Sequence, residues 1–222
     1  MKRVVVIGAG GHGREVADIL RAQGETDVIG FVDEKREIHG NDVDGLRVLG
    51  DWAWFEGVDR AEIAVVCAVG LPESCRRLTQ HAESLGLSFA TAISPLAHIS
   101  RFARLGEGVT VFPFAVINTG AVVESHGILN IAATASHDTK IGRYANINPA
   151  AHLAGNVTIC EGCYIGMGAN VIQGRSIGAW SVVGAGAVVT RDVPAGVITA
   201  GVPAKILRTK EGMNEQPTCH TR

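Results

Sequence analysis

The sequence predicts two folds in one chain: an α/β unit over residues 1–92, then an all-β parallel β-helix over residues 93–208. Three observations carry this. Short apolar runs rich in β-branched residues alternate with helical patterns as far as about residue 90. From residue 93 to residue 189 every sixth position is Ile, Leu or Val, with Ala135 the one exception. A second series, four places after the first, is small or valine almost throughout.

In the first unit, Arg3 to Ile7 (RVVVI) reads as a buried strand. Glycines follow at 8, 10, 11 and 13, and the segment from Arg14 to Gln23 places Val16, Ile19 and Leu20 on one helical face until Gly24 ends it. Val28 to Val32 is a second strand, closed by Asp33, and Ile63 to Val69 a third, followed by Gly70. Pro72 opens another helix, running to about Leu85, and Ser88 to Ile93 reads as one more strand. Strands alternating with helices make a parallel, doubly wound sheet.

The second unit has a different grammar. The series Ile93, Ile99, Leu105, Val111, Ile117 and onward to Val189 holds an unbroken period of six. A helix repeats at 3.6 residues and a strand at two, so neither explains it. A hexapeptide repeat does: each hexad makes one flat side and one turn, and three hexads close a triangular coil. The aliphatic residue fills the interior. The small residue of the second series (Ala97, Ala103, Val109 and so on) lets the corner close. From Thr209 to Arg222 the chain is a polar tail that matches neither pattern.

Composition narrows the function. Hydrophobic residues make up 46% and charged residues 19%, which allows a sizeable core, and the formal net charge of -2 gives no footing for nucleic acid or a membrane surface. No apolar run approaches the roughly 18 residues of a membrane span. The N-terminus runs straight into a strand and a glycine loop, without the features of a signal peptide. Five cysteines show no disulfide-like spacing. The expectation is a soluble protein of the reducing cytoplasm.

Gly8-x-Gly10-x-x-Gly13, after a strand and before a helix, fits the Rossmann fingerprint, with Asp33 twenty residues beyond Gly13. Its glycines allow close backbone approach to phosphate, and the helix N-terminus favours an anion. Read alone it suggests NAD and an oxidoreductase. A unit of about 90 residues is short for two mononucleotide halves, so a single nucleotide, as in a nucleotide sugar, is the better ligand. Cys160-x-x-Cys163 does not read as a zinc site: Cys163 belongs to the inward series, Cys160 follows inward Ile159 and faces out, and no second pair exists. No metal is expected. His126 and His152 fall at turn or outward positions and read as surface residues.

His137 and Asp138, in the stretch ASHDTKIG, follow Ala135 and fall on the outward part of the coil, between segments with almost no charge. A solvated surface pair is the plain alternative. A histidine, which ordinarily titrates near neutrality, is suited to take a proton from an attacking amine, and a carboxylate beside it orients the ring.

The hexad run ending in Gly201-Val202-Pro203-Ala204-Lys205, joined to the N-terminal GAGGHG unit, resembles the bacterial sugar O-/N-acyltransferases of the sialic acid O-acetyltransferase type. That family includes N-acetyltransferases of nucleotide-linked 4-amino-6-deoxy sugars. The resemblance covers about residues 3 to 208. It implies a left-handed β-helix, a homotrimer with active sites between subunits, and acetyl-CoA as co-substrate. It implies His137 as general base beside Asp138, where many members have Glu, and the Gly155 N–H as oxyanion donor. It places the nucleotide sugar (UDP-, GDP- or dTDP-linked) on Gly11, His12, Gly13, Asp33, Glu34 and Gly70. Coenzyme A falls on Asn146, where members often have His, on Met167 and Ala185, with Lys205 facing its phosphates on charge grounds. Asn118 and Asn130 either fill turns or line the acceptor site. Transfer to a sugar hydroxyl is the close alternative to transfer to an amine.

Overall fold

The computed structural model describes residues 1–210 and divides the chain into two compact units, Met1–Pro95 and Leu96–Arg222.

In the first unit, β1 (Lys2–Ile7) leads into α1 (Gly11–Gln23), followed by β2 (Thr26–Val32), β3 (Asp42–Val43), β4 (Leu46–Gly50), β5 (Ile63–Cys67), α2 (Pro72–Ser84) and β6 (Ser88–Phe89). The sheet order is β3-β4-β2-β1-β5-β6, parallel except for the β3–β4 hairpin. The two central strands are apolar on both faces: Val4, Val5 and Val6 of β1 and Ile63 to Val66 of β5 are fully buried. Helix α1 starts three residues earlier than its periodicity suggests. The glycine loop itself forms its first turn, and Gly24 ends it in the left-handed region at φ 73°. The β3–β4 hairpin went unread because it carries charge and little alternation. The expected strand 88–93 divides into Ser88–Phe89 and Ala92–Ile93.

Gly13 shows why the loop needs glycine. A Cβ there would strike the carbonyl oxygen of Gly8, so the chain turns from β1 into α1 only with a bare α-carbon at this point.

In the second unit, two-residue strands recur every six residues from His98–Ile99 to Val188–Val189, each ending on the aliphatic series. Pairing is parallel between residues 18 apart, as in Leu129↔Ile147, Ala135↔Leu153 and Ile141↔Ile159, so three hexads make one coil and the strands form three sheets. The aliphatic series is buried from Val111 to Val189. The second series is buried from Val109 to Ala187, save Arg175, whose side chain is 35% exposed. A third series was not read from the sequence. Every sixth residue from Gly108 to Gly186 occupies the left-handed region, with φ from 54° at Ala150 to 71° at Gly120. These are the corners of the prism, and Asp138 is one of them.

Past the last coil, Lys205–Thr209 pairs antiparallel with Val197–Ala200, so Thr209 belongs to a strand rather than to the expected tail. Residues 211–222 of that tail lie outside the described residues. Among the described residues no helix is long and apolar enough to cross a membrane.

Candidate active site

Stacking at 18 residues turns sequence columns into edges. Thr119, His137 and Gly155 lie one above another along one edge: the Asp138 N–H donates to the Thr119 carbonyl at 3.0 Å, and the Asn156 N–H to the His137 carbonyl at 2.9 Å. His137 therefore sits one residue before a corner, on a backbone fixed by the coils above and below. Its side chain and that of Asp138 are 50% and 60% exposed, as an outward position requires.

The geometry at His137 is specific. Nδ1 lies 2.9 Å from Oδ2 of Asp138. A carboxylate accepts hydrogen bonds, so in the neutral ring this contact favours the tautomer with the proton on Nδ1 and the lone pair on Nε2. Aspartate also suits the corner, because its short polar side chain tolerates the left-handed conformation held here at φ 58°. Gly120 makes room beneath it, since a Cβ there would strike Oδ1 of Asp138.

On the next coil, Gly155 faces the other side of the ring. A Cβ on Gly155 would collide with Nε2 and Cε1 of His137. The Gly155 carbonyl accepts from Gly174 at 3.0 Å, while its N–H donates to no backbone carbonyl among the described residues. The Nε2 edge of the His137 ring and the Gly155 backbone are thus brought to one place.

A second edge stacks Ile131, Pro149, Met167 and Ala185, held by the Gly186 N–H to the Met167 carbonyl (2.8 Å) and the Gly168 N–H to the Pro149 carbonyl (2.9 Å). It is apolar and open: Phe114 at a corner is 62% exposed, Ile131 40% and Met167 60%. Met167 and Ala185 are therefore accessible together, and Lys205 is exposed on its strand. Asn146 differs, being buried at 2% exposure. Asn130 is also buried, and its side-chain oxygen accepts from the Ile131 N–H at 2.7 Å, so it fills a turn. Asn118 is half-buried one coil below Ser136.

Two surface expectations are corrected. His126, at a corner, is 2% exposed, stacked on Tyr144 with ring centres 5.5 Å apart. Burial, with the Arg143 guanidinium second, lowers its pKa from 6.5 to about 4. Cys160, expected to face out, is 2% exposed. Cys163 is fully buried, and its thiol is turned to the carbonyl of Gly178 at 3.2 Å. Among the described residues no group of three or more His, Cys, Asp or Glu could hold a metal ion. A depression of about 560 Å³ near Arg104, Glu124 and Arg143 contains none of the candidate catalytic or binding residues read from the sequence.

In the first unit, the glycine loop places Gly11, His12 and Gly13 in the first turn of α1. Burial lowers the pKa of His12. A cavity of about 210 Å³ opens at the carboxyl ends of β1, β2 and β5, lined by residues including Gly8, Asp33, Glu34, Val69 and Arg77. Chain order reverses between β1 and β5, and open parallel sheets bind ligands in the crevice at such a point. Asp33 and Glu34 face this cavity, but Gly11, His12, Gly13 and Gly70 are not among its lining residues. Asp33 supports the glycine loop, its Oδ2 accepting from the Ala9 N–H at 2.9 Å. Sequence reasoning missed Trp52 and Arg77. Both come from segments without a motif and meet Glu34 only through the fold.

Comparison with known proteins agrees with both halves. The PglD N-terminal domain family matches residues 3–81, and the bacterial transferase hexapeptide family (six repeats) matches residues 138–173. GDP-perosamine N-acetyltransferase of Escherichia coli O157:H7 is 30% identical over 213 residues, covering 91% of this chain and 95% of its own. The acetyltransferase domain of PglB from Neisseria gonorrhoeae FA1090, solved with acetyl coenzyme A, has a TM-score of 0.88 at 37% identity, over 93% of this chain and 99% of its own. PerB from Caulobacter crescentus, solved with CoA and GDP-perosamine, has a TM-score of 0.86 at 38% identity, over 92% and 97%.

Proposed function

This chain belongs to the hexapeptide-repeat sugar N-acetyltransferases with a PglD-type N-terminal domain, and on that premise we propose that it moves an acetyl group from acetyl-CoA to the amine of a nucleotide-linked 4-amino-6-deoxy sugar. The carrying observation is the His137–Asp138 pair at 2.9 Å with the Gly155 backbone against the opposite edge of the ring.

The amine nitrogen attacks the thioester carbonyl carbon, and a C–N bond forms. The proton leaving nitrogen goes to Nε2 of His137, while Asp138 holds Nδ1–H and with it the tautomer. The carbonyl oxygen becomes an oxyanion, to which the Gly155 N–H donates. Collapse breaks the C–S bond, and the sulfur of CoA leaves with the proton from the imidazolium. No acyl-enzyme is required.

CoA lies on the open apolar edge at Met167 and Ala185, with Lys205 at its phosphates. The buried side chain of Asn146 gives that expected contact less support. The N-terminal unit is the Rossmann-like nucleotide-sugar domain. The Gly11–Gly13 turn and Gly70 serve the diphosphate and sugar, and Asp33 and Glu34 the nucleoside. The β-helix is left-handed, and the exposed Phe114, Ile131 and Met167 support its packing as a homotrimer with each site between subunits. Asn118 lines the acceptor side. The reaction takes place in the cytoplasm.

The test is thiol release from acetyl-CoA against a panel of UDP-, dTDP- and GDP-linked 4-amino-6-deoxy sugars and their hydroxyl counterparts. Release with an amino sugar is expected. Release only with a hydroxyl counterpart would replace N-transfer by O-transfer.

A further inference from the structure

We infer that Gly120 is a positioning residue for acetyl transfer: its bare α-carbon seats the Asp138 carboxylate, which in turn holds the His137 ring. This rests on the reading of His137 as the base.

The Asp138 side chain is 60% exposed, so little packing of its own fixes its direction. Residues adjacent in a strand point to opposite faces, and His137 meets Asp138 only because the chain turns a corner between them. A short side chain with three staggered χ1 rotamers has to be kept in the one that brings Oδ2 to Nδ1 at 2.9 Å. The coil below does this at two points. The Thr119 carbonyl accepts from the Asp138 N–H at 3.0 Å and fixes the backbone. Gly120 lies under Oδ1, and the α-hydrogen that a Cβ would replace points at that oxygen. Such a C–H···O contact is weak, so what Gly120 supplies is shape rather than energy.

Backbone conformation alone does not call for glycine here. Gly120 has φ 71°, but other corners hold Ala132 at φ 55° and Ala150 at φ 54°. What sets Gly120 apart is its neighbour one coil on. The same arrangement recurs at the corners where Gly108 lies under His126 and Gly162 under Trp180, and a Cβ at either glycine would strike the ring. Those rings are 2% and 5% exposed and serve packing. On the edge that carries His137 the seated group is a carboxylate in contact with the base. A methyl group at Gly120 would take the place of Oδ1 and turn the carboxylate away from Nδ1 into solvent.

The test is thiol release by the full chain, Gly120→Ala, Asp138→Gly, the double variant and His137→Ala. The acceptor is whichever member of the nucleotide-amino-sugar panel releases most thiol, and melting curves are run beside the rates. Gly120→Ala should lower kcat on the order of tenfold, to the level of Asp138→Gly, with KM for both substrates within about twofold. The double variant should be no slower than Asp138→Gly, because a residue that works through Asp138 then has nothing left to disturb. A crystal structure of Gly120→Ala should show the carboxylate off Nδ1. Parent kcat in Gly120→Ala, an equal loss in both backgrounds, a raised KM at unchanged kcat, or an intact contact between ring and carboxylate would each overturn the inference. Loss of turnover in His137→Ala beside full turnover in Gly120→Ala would overturn it and leave the base standing. Parent turnover in His137→Ala, or no thiol release from any panel member, would overturn the base reading and this inference with it.

Discussion

The Gly155 α-carbon and the His137 imidazole share one contact surface: a single methyl group on Gly155 would occupy the space of Nε2 and Cε1. The two residues are 18 apart, one coil in the register Ala135↔Leu153. The repeat itself therefore sets base against backbone donor. Gly155→Ala should push the ring from its position without unfolding the coil, because His137 is half exposed and can swing into solvent. A displacement of about 1 Å costs on the order of a hundredfold in rate. We expect kcat to fall by that order in a thiol-release assay, with the melting temperature within a few degrees of the parent.

Asp138 combines an orienting carboxylate with a left-handed corner, and the two roles separate by substitution. Asp138→Gly keeps the corner relaxed, as at Gly120 one coil before it and Gly174 two coils after, and removes the acceptor for Nδ1–H. Turnover should drop about tenfold or more while thermal stability is kept. Asp138→Ala should lose turnover and also about 1 kcal/mol of stability, because a Cβ without polar compensation is strained there. A pair of melting curves beside the rate assay distinguishes them.

The interior stack of Leu129, Ile147 and Ile165 is fully buried in consecutive coils. Ile147→Ala removes the middle layer between two rigid ones that collapse poorly. A loss of about 2–5 kcal/mol is expected in denaturant unfolding.

His126 makes stability depend on pH. Its folded pKa, about 4, lies below the ordinary 6.5. Between those values the unfolded chain binds the proton more readily, so stability rises with pH. The contribution is complete above about 6.5 and is lost as pH falls toward 4, by up to about 3 kcal/mol. His126→Asn, which tolerates the corner, should flatten that part of the stability profile measured by chemical denaturation.

The period of six was legible because sixteen of the seventeen interior positions from Ile93 to Val189 are Ile, Leu or Val, and burial there is what the coil demands. His137 and Asp138 were legible because a titratable pair stands out against a weakly charged surface. The corner series was only partly visible in the sequence: from Gly108 to Gly186 glycine, asparagine, aspartate and histidine recur at one phase, but Phe114, Ala132, Tyr144, Ala150 and Trp180 interrupt them. Contacts that cross between elements were not legible. Arg77 reaches Glu34 from α2 across 43 residues, and Tyr144 reaches His126 across a coil that the hexad pattern describes only from inside. His126 was misread for the same reason: the pattern says which residues face in, not which outward ones become covered.

The most direct test of the account is thiol release by the His137→Ala chain with its amino-sugar substrate, measured beside CoA affinity. If His137 takes the proton, kcat falls by roughly a hundredfold to ten-thousandfold with CoA binding unchanged. Turnover at the parent rate would show that His137 is a surface histidine and that the proton leaves by another route.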